Sequence, residues 1–266
     1  NDIQSISLFT AILFLLHPIQ TESVIYIMGR SEVFSGTFYL SAFLLFQILS
    51  DKKNPPKTRF KVLALVLVPV IFLLGFSVKQ TLVTLPIILL LYLFFGRQPD
   101  SFLISTLNKW KWGLGLITII GLSLLFHKLL TDESFLIGPS NAGENIGRLN
   151  YMLTQPSVLL SYYLKLFLFP INLNIDPDIR IVTQWWSWRF YTGIVAIVFA
   201  IFVSYRIKET RAPLFFIFWF LIVISPSSSI ITLNDLAAEH RTYLALYSFC
   251  AVLAYCIYRM QCLVFR

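Results

Sequence analysis

Charged residues and cysteines are scarce in this sequence. Asp, Glu, Lys and Arg make up 13% of the 266 residues, about half the fraction found in an ordinary soluble domain. Three cysteines, Cys250, Cys256 and Cys262, all lie in the last apolar segment, without the spacing of a disulfide framework or a metal-ligand cluster. No internal repeat of 20 to 50 residues is visible. We therefore exclude a conventional soluble domain and interpret the cysteines as small apolar side chains.

Apolar and aromatic residues are abundant. Hydrophobic residues account for 57% of the chain, which includes 25 Phe, 12 Tyr and 6 Trp. This composition is typical of lipid-facing helices with aromatic belts at the membrane interfaces. The net charge of +8 falls in short connecting loops, where it sets topology, so it does not indicate a nucleic-acid partner. The sequence predicts a multi-pass integral membrane protein.

Apolar runs of about 20 residues, the length of a bilayer-spanning helix, define the predicted architecture. The candidate spans are 4–20, 33–50, 60–78, 80–96, 113–130, 190–206, 212–232 and 241–260. A ninth apolar stretch, 155–170, carries Ser157, Ser161 and Lys165 along one helical stripe, and we expect it to be interfacial or re-entrant. The predicted fold is all-α: one polytopic transmembrane helical bundle of about eight spans over residues 1–266.

Short loops rich in Lys and Arg are expected to be cytoplasmic. With alternating spans, this places the remaining polar segments together on the external face: 17–32, 79–80, 131–154, 172–189 and 226–241. The Gly/Asn-rich loop 138–150 is predicted to be a mobile element over a site. Its glycines lack the context of a phosphate-binding loop, which argues against nucleotide binding.

The most informative external segment is HPIQTESVIYIMGRSE, residues 17–32. It places His17, Glu22, Arg30 and Glu32 between two apolar runs, where polar groups are costly unless they pair or line a wet cavity. We expect Glu22 and Arg30 to face each other across a helix hairpin. The pair is either a structural ion pair or a fork that holds a phosphate.

Two further segments leave alternatives open. Lys79 lies at an external helix junction and is either a snorkelling interfacial lysine or a phosphate ligand. Asp176 and Asp178 flank a proline; they form either a divalent-cation site, the one cofactor considered, or a solvated turn. A tryptophan cluster is interpreted as an interfacial belt: Trp185, Trp186 and Trp188.

The segment before the last span clusters several ionisable residues. Glu239, His240 and Arg241 adjoin each other, and either Asn234 or Asp235, just upstream, is the candidate helix cap. A histidine between these charges is a candidate acid/base or ligand. With no second histidine beside it, the cluster does not indicate zinc.

Four motifs, in this order, resemble the membrane region of the transmembrane-and-tetratricopeptide-repeat O-mannosyltransferase family and its bacterial relatives: HPIQTESVIYIMGRSE, VKQTLVTLP, TQPSVLLSYYLKLFLFPINLNID and SPSSSIITLNDLAAEHRTYL. The resemblance implies a GT-C-type glycosyltransferase. Such an enzyme transfers a sugar, here mannose, from a polyprenyl-phosphate carrier to a protein hydroxyl on the external face. It implies membrane lipids, the donor, an acceptor protein and other membrane subunits as partners, and favours a bacterial inner membrane, or the ER membrane in a eukaryote.

The resemblance also assigns residues to the family's motifs: His17, Glu22, Arg30, Lys79, Glu239, Arg241 and Tyr243. The chain departs from the family at Gln80, where glutamate is usual. The family's acidic first external loop, which the resemblance implies to carry the catalytic base, would precede Asn1, and its tetratricopeptide repeats would follow the last span. We therefore expect this sequence to be part of a longer protein that contains upstream spans and that loop.

The chemistry of transfer from a lipid phosphate assigns roles to these residues. It needs a carboxylate to deprotonate the acceptor hydroxyl and cations to stabilise the departing phosphate. Arg30, Lys79 and Arg241 are the candidate cations, with Arg148 as an addition, and the candidate bases are Glu22, Asp176 and Glu239. A non-catalytic membrane scaffold of the same fold is the main alternative. A transporter is a third, although it would place charges near the bilayer midplane.

Overall fold

A computed structural model of the chain describes residues 2–27, 29–51, 54, 56–95, 147–207, 211–230 and 235–264. Within these ranges the chain is all-helical, as predicted, and contains no strand. The α-helices are α1 Asp2–Leu16, α2 Gln20–Ile25, α3 Arg30–Ser50, α4 Thr58–Val78, α5 Leu85–Phe95, α6 Arg148–Val158, α7 Lys165–Leu168, α8 Trp188–Arg206, α9 Ala212–Ser225 and α10 Tyr243–Val264. Four tighter or wider turns adjoin them: the 3₁₀ turns Gln80–Thr84 and Glu239–Thr242 and the π turns Leu159–Leu164 and Pro226–Ile230.

Four described helices are long and apolar enough to cross a membrane: Arg30–Ser50, Thr58–Val78, Trp188–Arg206 and Glu239–Val264. They match four of the predicted spans and support transmembrane character. Three other predicted spans are shorter apolar helices: Ile3–Leu16, Gln80–Phe95 and Ala212–Ser228. At 1.5 Å per residue, helices of this size fall short of a hydrocarbon core about 30 Å thick. The predicted number of eight spans is therefore not confirmed, and 113–130 lies outside the described residues.

The stretch predicted as an interfacial helix is part of a longer helical run from Arg148 to Leu168. It contains Pro156 and passes through the π turn Leu159–Leu164. The hydroxyl of Ser157 donates to the Thr154 carbonyl, and that of Ser161 donates to the Ser157 carbonyl. These polar groups are satisfied by the helix backbone. The interfacial position remains a prediction, and most of the loop 138–150 lies outside the described residues.

Two large clusters of buried side chains hold the helices together, with a small third one at Leu49 and Ala64 between α3 and α4. In the first, Tyr39 and Phe43 of α3 pack edge-on against Trp219 of α9, with ring centroids 5.5 and 4.9 Å away. The second joins α1, the 148–168 run, α9 and α10, and it includes Cys250. All three cysteines are free; Cys250 is buried, whereas Cys256 and Cys262 are exposed. Because both clusters contain residues of α9 and α10, the connection between these two helices, 226–242, is anchored at both ends.

Candidate functional site

Three of the four motifs line one polar cavity of about 380 Å³. The lining residues come from the start of α3, the junction of α4 and the 3₁₀ turn, and the α9–α10 connection: Ser31, Glu32, Val78, Lys79, Gln80, Thr81, Pro226, Ser227, His240 and Arg241. Segments as far apart in sequence as Ser31 and Arg241 thus meet at one cavity. This cavity is the candidate site.

Lys79 forms an ion pair with Glu32 across the cavity wall. Lys79 directly follows α4 and has an extended backbone, with φ −155° and ψ 141°, before the chain enters the 3₁₀ turn. The Glu32 side chain is 5% exposed, whereas that of Lys79 is 27% exposed. Lys79 therefore faces a nearly buried carboxylate, and an ammonium group keeps further N–H donors for another acceptor.

Glu22 pairs with His240 rather than with Arg30. One carboxylate oxygen accepts the backbone N–H of His240 at 2.9 Å, and the other lies 2.7 Å from Nδ1 of its ring. Arg30 is exposed at the start of α3 and forms no ion pair with a described residue. The predicted hairpin pair is thus wrong, because the short helix α2 packs Glu22 against the 3₁₀ turn Glu239–Thr242.

Glu239 is the most deeply buried of the predicted site residues, at 2% exposure. Its Oε1 accepts the Tyr162 hydroxyl at 3.0 Å and the Asn174 backbone N–H at 2.7 Å. Burial, with a further contribution from the Glu239 charge, raises the pKa of Tyr162, so this hydroxyl remains a neutral donor. The third motif, TQPSVLLSYYLKLFLFPINLNID, therefore does not line the cavity but holds the Glu239 carboxylate beside it.

We expect Tyr162→Phe to destabilise the folded protein by about 1.5 kcal/mol, because it removes a hydrogen bond to a charged acceptor. Tyr191→Phe is the matched control, since Tyr191 is half-exposed and its ring contact with Phe190 survives the change. The change in stability is measured for both variants from the thermal unfolding midpoint of the full-length protein in detergent. Equal midpoints for the two variants would contradict this role of Tyr162.

Arg241 lines the cavity and is held from the side by Asp235. Its Nη1 donates to the Asp235 backbone carbonyl at 2.9 Å, and its Nη2 lies 3.4 Å from the carboxylate. Asp235 does not cap the following helix, contrary to one predicted alternative: the residue preceding the 3₁₀ turn is Ala238, and no described side chain caps it. The other alternative, Asn234, lies outside the described residues. Asp235 is instead a support for the guanidinium.

The remaining predicted site residues lie outside the cavity wall. Asp176 and Asp178 are exposed, and the Asp176 N–H donates to the Asn174 side-chain oxygen at 3.2 Å. This is the local geometry of a turn. The described part of the chain contains no group of three or more His, Cys, Asp or Glu that could hold a metal ion. The turn alternative is the one that the geometry favours.

His17 and Tyr243 make contacts within the helix packing. The Nε2 of His17 is 3.0 Å from the Phe167 carbonyl, and its Nδ1 accepts the Ile19 N–H at 3.3 Å. The Tyr243 ring packs edge-on against Phe14, with centroids 5.4 Å apart. Both residues connect elements next to the site. Their assignment to substrate binding remains a prediction.

Several residues of the site were not singled out from the sequence. Ser31, Thr81 and Ser227 line the cavity, and the Tyr151 hydroxyl donates to the Ser227 carbonyl at 2.6 Å. Of these residues, the tyrosines of the 148–168 run could have been found from the sequence, because phenol side chains recur there within an apolar helix. Serine and threonine give no such signal, because they are equally common where helices simply pack together.

Comparison with known proteins gives one short similarity. No protein-family model and no solved structure matches the chain. Over 38 residues the chain is 50% identical to the mouse (Mus musculus) protein O-mannosyl-transferase TMTC3, and this stretch covers 14% of the chain and 4% of the mouse protein. The chain thus matches only a small part of that relative's length. The likeness is local, and it agrees with the resemblance of the motifs.

Proposed function

We propose that this protein is a membrane glycosyltransferase whose polar cavity holds the phosphate of a lipid-linked sugar. The proposed donor is polyprenyl-phosphate mannose, and the acceptor is a protein hydroxyl on the external face. The observation that carries the proposal is the meeting of Lys79 and Arg241 in one cavity between apolar helices. The short similarity to a mouse O-mannosyl-transferase supports the reaction class.

The side chains of Arg241 and Lys79 are suited to stabilise a departing phosphate. The carboxylate of Asp235 is 3.4 Å from Arg241 and its side chain is 55% exposed, so solvent screens this pair and the guanidinium remains available to an anion. Lys79 is neutralised in part by Glu32. Preorganised donors of this kind act by stabilising the charge that develops on the leaving group.

The cavity wall does not contain the three predicted bases. Glu22 uses both oxygens on His240, Glu239 is buried beside Tyr162, and Asp176 is exposed in a turn. Glu32 lines the cavity but is ion-paired with Lys79. In this cavity the cationic side chains of Lys79 and Arg241 are therefore more available to a ligand than these carboxylates are. That difference fits a phosphate-binding role.

The proposal is tested by sugar transfer from polyprenyl-phosphate mannose in membranes that contain the full-length protein. We expect Arg241→Ala and Lys79→Ala each to lower kcat by about 100-fold, the usual loss when one preorganised donor is removed. Arg189→Ala is the control, because Arg189 lies over the Trp188 ring and outside the cavity. Transfer that is undiminished in both cavity variants would refute the phosphate site.

A non-catalytic membrane scaffold is the second candidate. It is favoured by the internal pairing of Glu22, Glu32 and Glu239, which satisfies these carboxylates without a ligand. A scaffold predicts no transfer by the wild type, together with copurifying membrane subunits that remain bound in Arg241→Ala. For either candidate we propose an inner-membrane or ER location, lipid and protein partners, and no nucleic acid.

A further inference from the structure

We propose that Gln80 and Thr81 bind hydroxyl groups of the donor sugar and thereby set the sugar specificity of the transfer. This inference rests on the proposed glycosyltransferase function and adds a sugar subsite to the same cavity. The cavity volume of about 380 Å³ lies in the size range of small-molecule sites and far exceeds that of a phosphate group. The cavity therefore has room for the sugar as well as for the phosphate.

Three consecutive residues, Lys79, Gln80 and Thr81, line one wall of the cavity. They offer an ammonium group, a primary amide and a hydroxyl. The ammonium group suits the phosphate, whereas the amide and the hydroxyl are uncharged and can each donate and accept hydrogen bonds. A sugar hydroxyl does both as well. The order of these residues thus matches a sugar phosphate, in which a charged group adjoins neutral hydroxyls.

The polar groups of Gln80 and Thr81 are not used by the fold. Neither side chain has a hydrogen-bond partner among the described residues. Thr84, in the same 3₁₀ turn, differs: it is 2% exposed, and its hydroxyl donates to the Thr81 carbonyl at 2.8 Å and lies 3.0 Å from the Tyr39 hydroxyl. The threonine that holds the turn together is buried and paired, whereas the two residues at the cavity keep their polar groups for a ligand.

The 3₁₀ turn that carries Gln80 and Thr81 is firmly anchored. Leu82 and Leu85 are buried in the first core cluster. The backbone of α4 lies close by, because a Cβ at Gly75 would overlap the Leu82 side chain. Binding groups on a supported element lose little conformational freedom when the ligand binds, which favours selective recognition.

The position of Gln80 next to Lys79 indicates which hydroxyl it binds. Neighbouring Cα atoms are about 3.8 Å apart, and the sugar hydroxyl nearest to the phosphate is the one on C2, beside the C1 atom that carries the phosphate. With the phosphate at Lys79 and Arg241, the C2 hydroxyl lies at Gln80 and a more distant ring hydroxyl lies at Thr81. Mannose and glucose differ in configuration at C2 alone, so the Gln80 contact distinguishes them.

The test measures transfer by the full-length protein in membranes from polyprenyl-phosphate mannose and from polyprenyl-phosphate glucose. We expect Gln80→Met to lower kcat/KM for the mannose donor about tenfold, the equivalent of one hydrogen bond, and to leave that for the glucose donor unchanged. Gln261→Met is the control, because Gln261 is exposed and lies in the last turns of α10, about 27 Å from the start of that helix.

A mannose donor in which hydrogen replaces the C2 hydroxyl tests the contact itself. The loss of kcat/KM on this replacement should be about tenfold larger in the wild type than in Gln80→Met, because the variant has already lost the bond. Thr81→Val keeps the shape of its side chain and should show the same coupling with a donor that lacks another ring hydroxyl. Absence of coupling between either variant and any ring hydroxyl would overturn the subsite.

The outcomes separate this inference from the proposed function. Wild-type transfer with an unchanged preference for mannose in Gln80→Met would overturn the sugar contact and leave the glycosyltransferase intact. An equal loss with every donor would also overturn it, because Gln80 would then act on a group that all donors share. Absence of wild-type transfer from any polyprenyl-phosphate sugar would overturn both. A loss confined to donors with the C2 hydroxyl of mannose supports the subsite.

Discussion

Gly193→Leu is expected to prevent α8 from packing on α6 and to destabilise the protein by about 3 kcal/mol, the upper end of typical overpacking costs. A Cβ at Gly193 would lie 2.2 Å from the carbonyl oxygen of Pro156 and 2.3 Å from its carbonyl carbon. These are backbone atoms, so no side-chain rotation relieves the overlap. Close approach of helix backbones through a small residue is a general device of helix packing in membranes.

The measurement is unfolding of the purified full-length protein in detergent, followed by heat or by a denaturing detergent. Gly147→Ala is the control, because a Cβ there has no heavy atom of a described residue within 4 Å and its φ of −54° suits any residue. Even Gly193→Ala should lower the midpoint, while Gly147→Ala should not. Identical midpoints for Gly193→Leu and the wild type would contradict the contact.

Gly193→Leu should also impair the proposed sugar transfer. The helical run that contacts Gly193 hydrogen-bonds the α9–α10 connection through Tyr151 and Gln155, which donate to the carbonyls of Ser227 and Leu236. Displacing this run would shift the connection that supplies His240 and Arg241. We therefore expect sugar transfer to fall together with stability, although Gly193 lies outside the polar cavity.

Lys79→Met is expected to destabilise the protein by about 3 kcal/mol, the lower end of the range for breaking a buried ion pair, because only the Glu32 partner is buried. The substitution leaves Glu32, which is 5% exposed, without its cation. Glu32→Gln should cost much less, because Lys79 is 27% exposed and its ammonium group can reach water. The asymmetry follows from the unequal burial of the two partners.

The double variant Glu32→Gln, Lys79→Met completes the test. Removal of both charges should recover most of the stability lost in Lys79→Met, since the uncompensated carboxylate is gone. Unfolding midpoints of the two single variants and the double variant form one thermodynamic cycle. Losses that simply add in the double variant would mean that the two side chains do not interact.

The sequence predicted the helical class, the apolar segments and the polar motifs that later met in the cavity. It did so because hydropathy and helical periodicity are local properties, which each segment carries by itself. Helix lengths were less predictable. Apolar runs such as 80–96 and 212–232 looked continuous, yet they contain the 3₁₀ and π turns near Lys79 and Pro226, whose backbone geometry depends on packing.

Partner choice at the site was decided by the tertiary structure. Glu22 was expected to pair with the nearby Arg30, but it binds His240, 218 residues away in sequence, because α2 packs on the connection between α9 and α10. Likewise, Glu32 and Lys79 were recognised as separate polar positions and not as a pair. A charge in an apolar bundle must find a counter-group, and the sequence established that requirement. Which group meets it depends on helix packing across long sequence separations, and only the folded chain determines that.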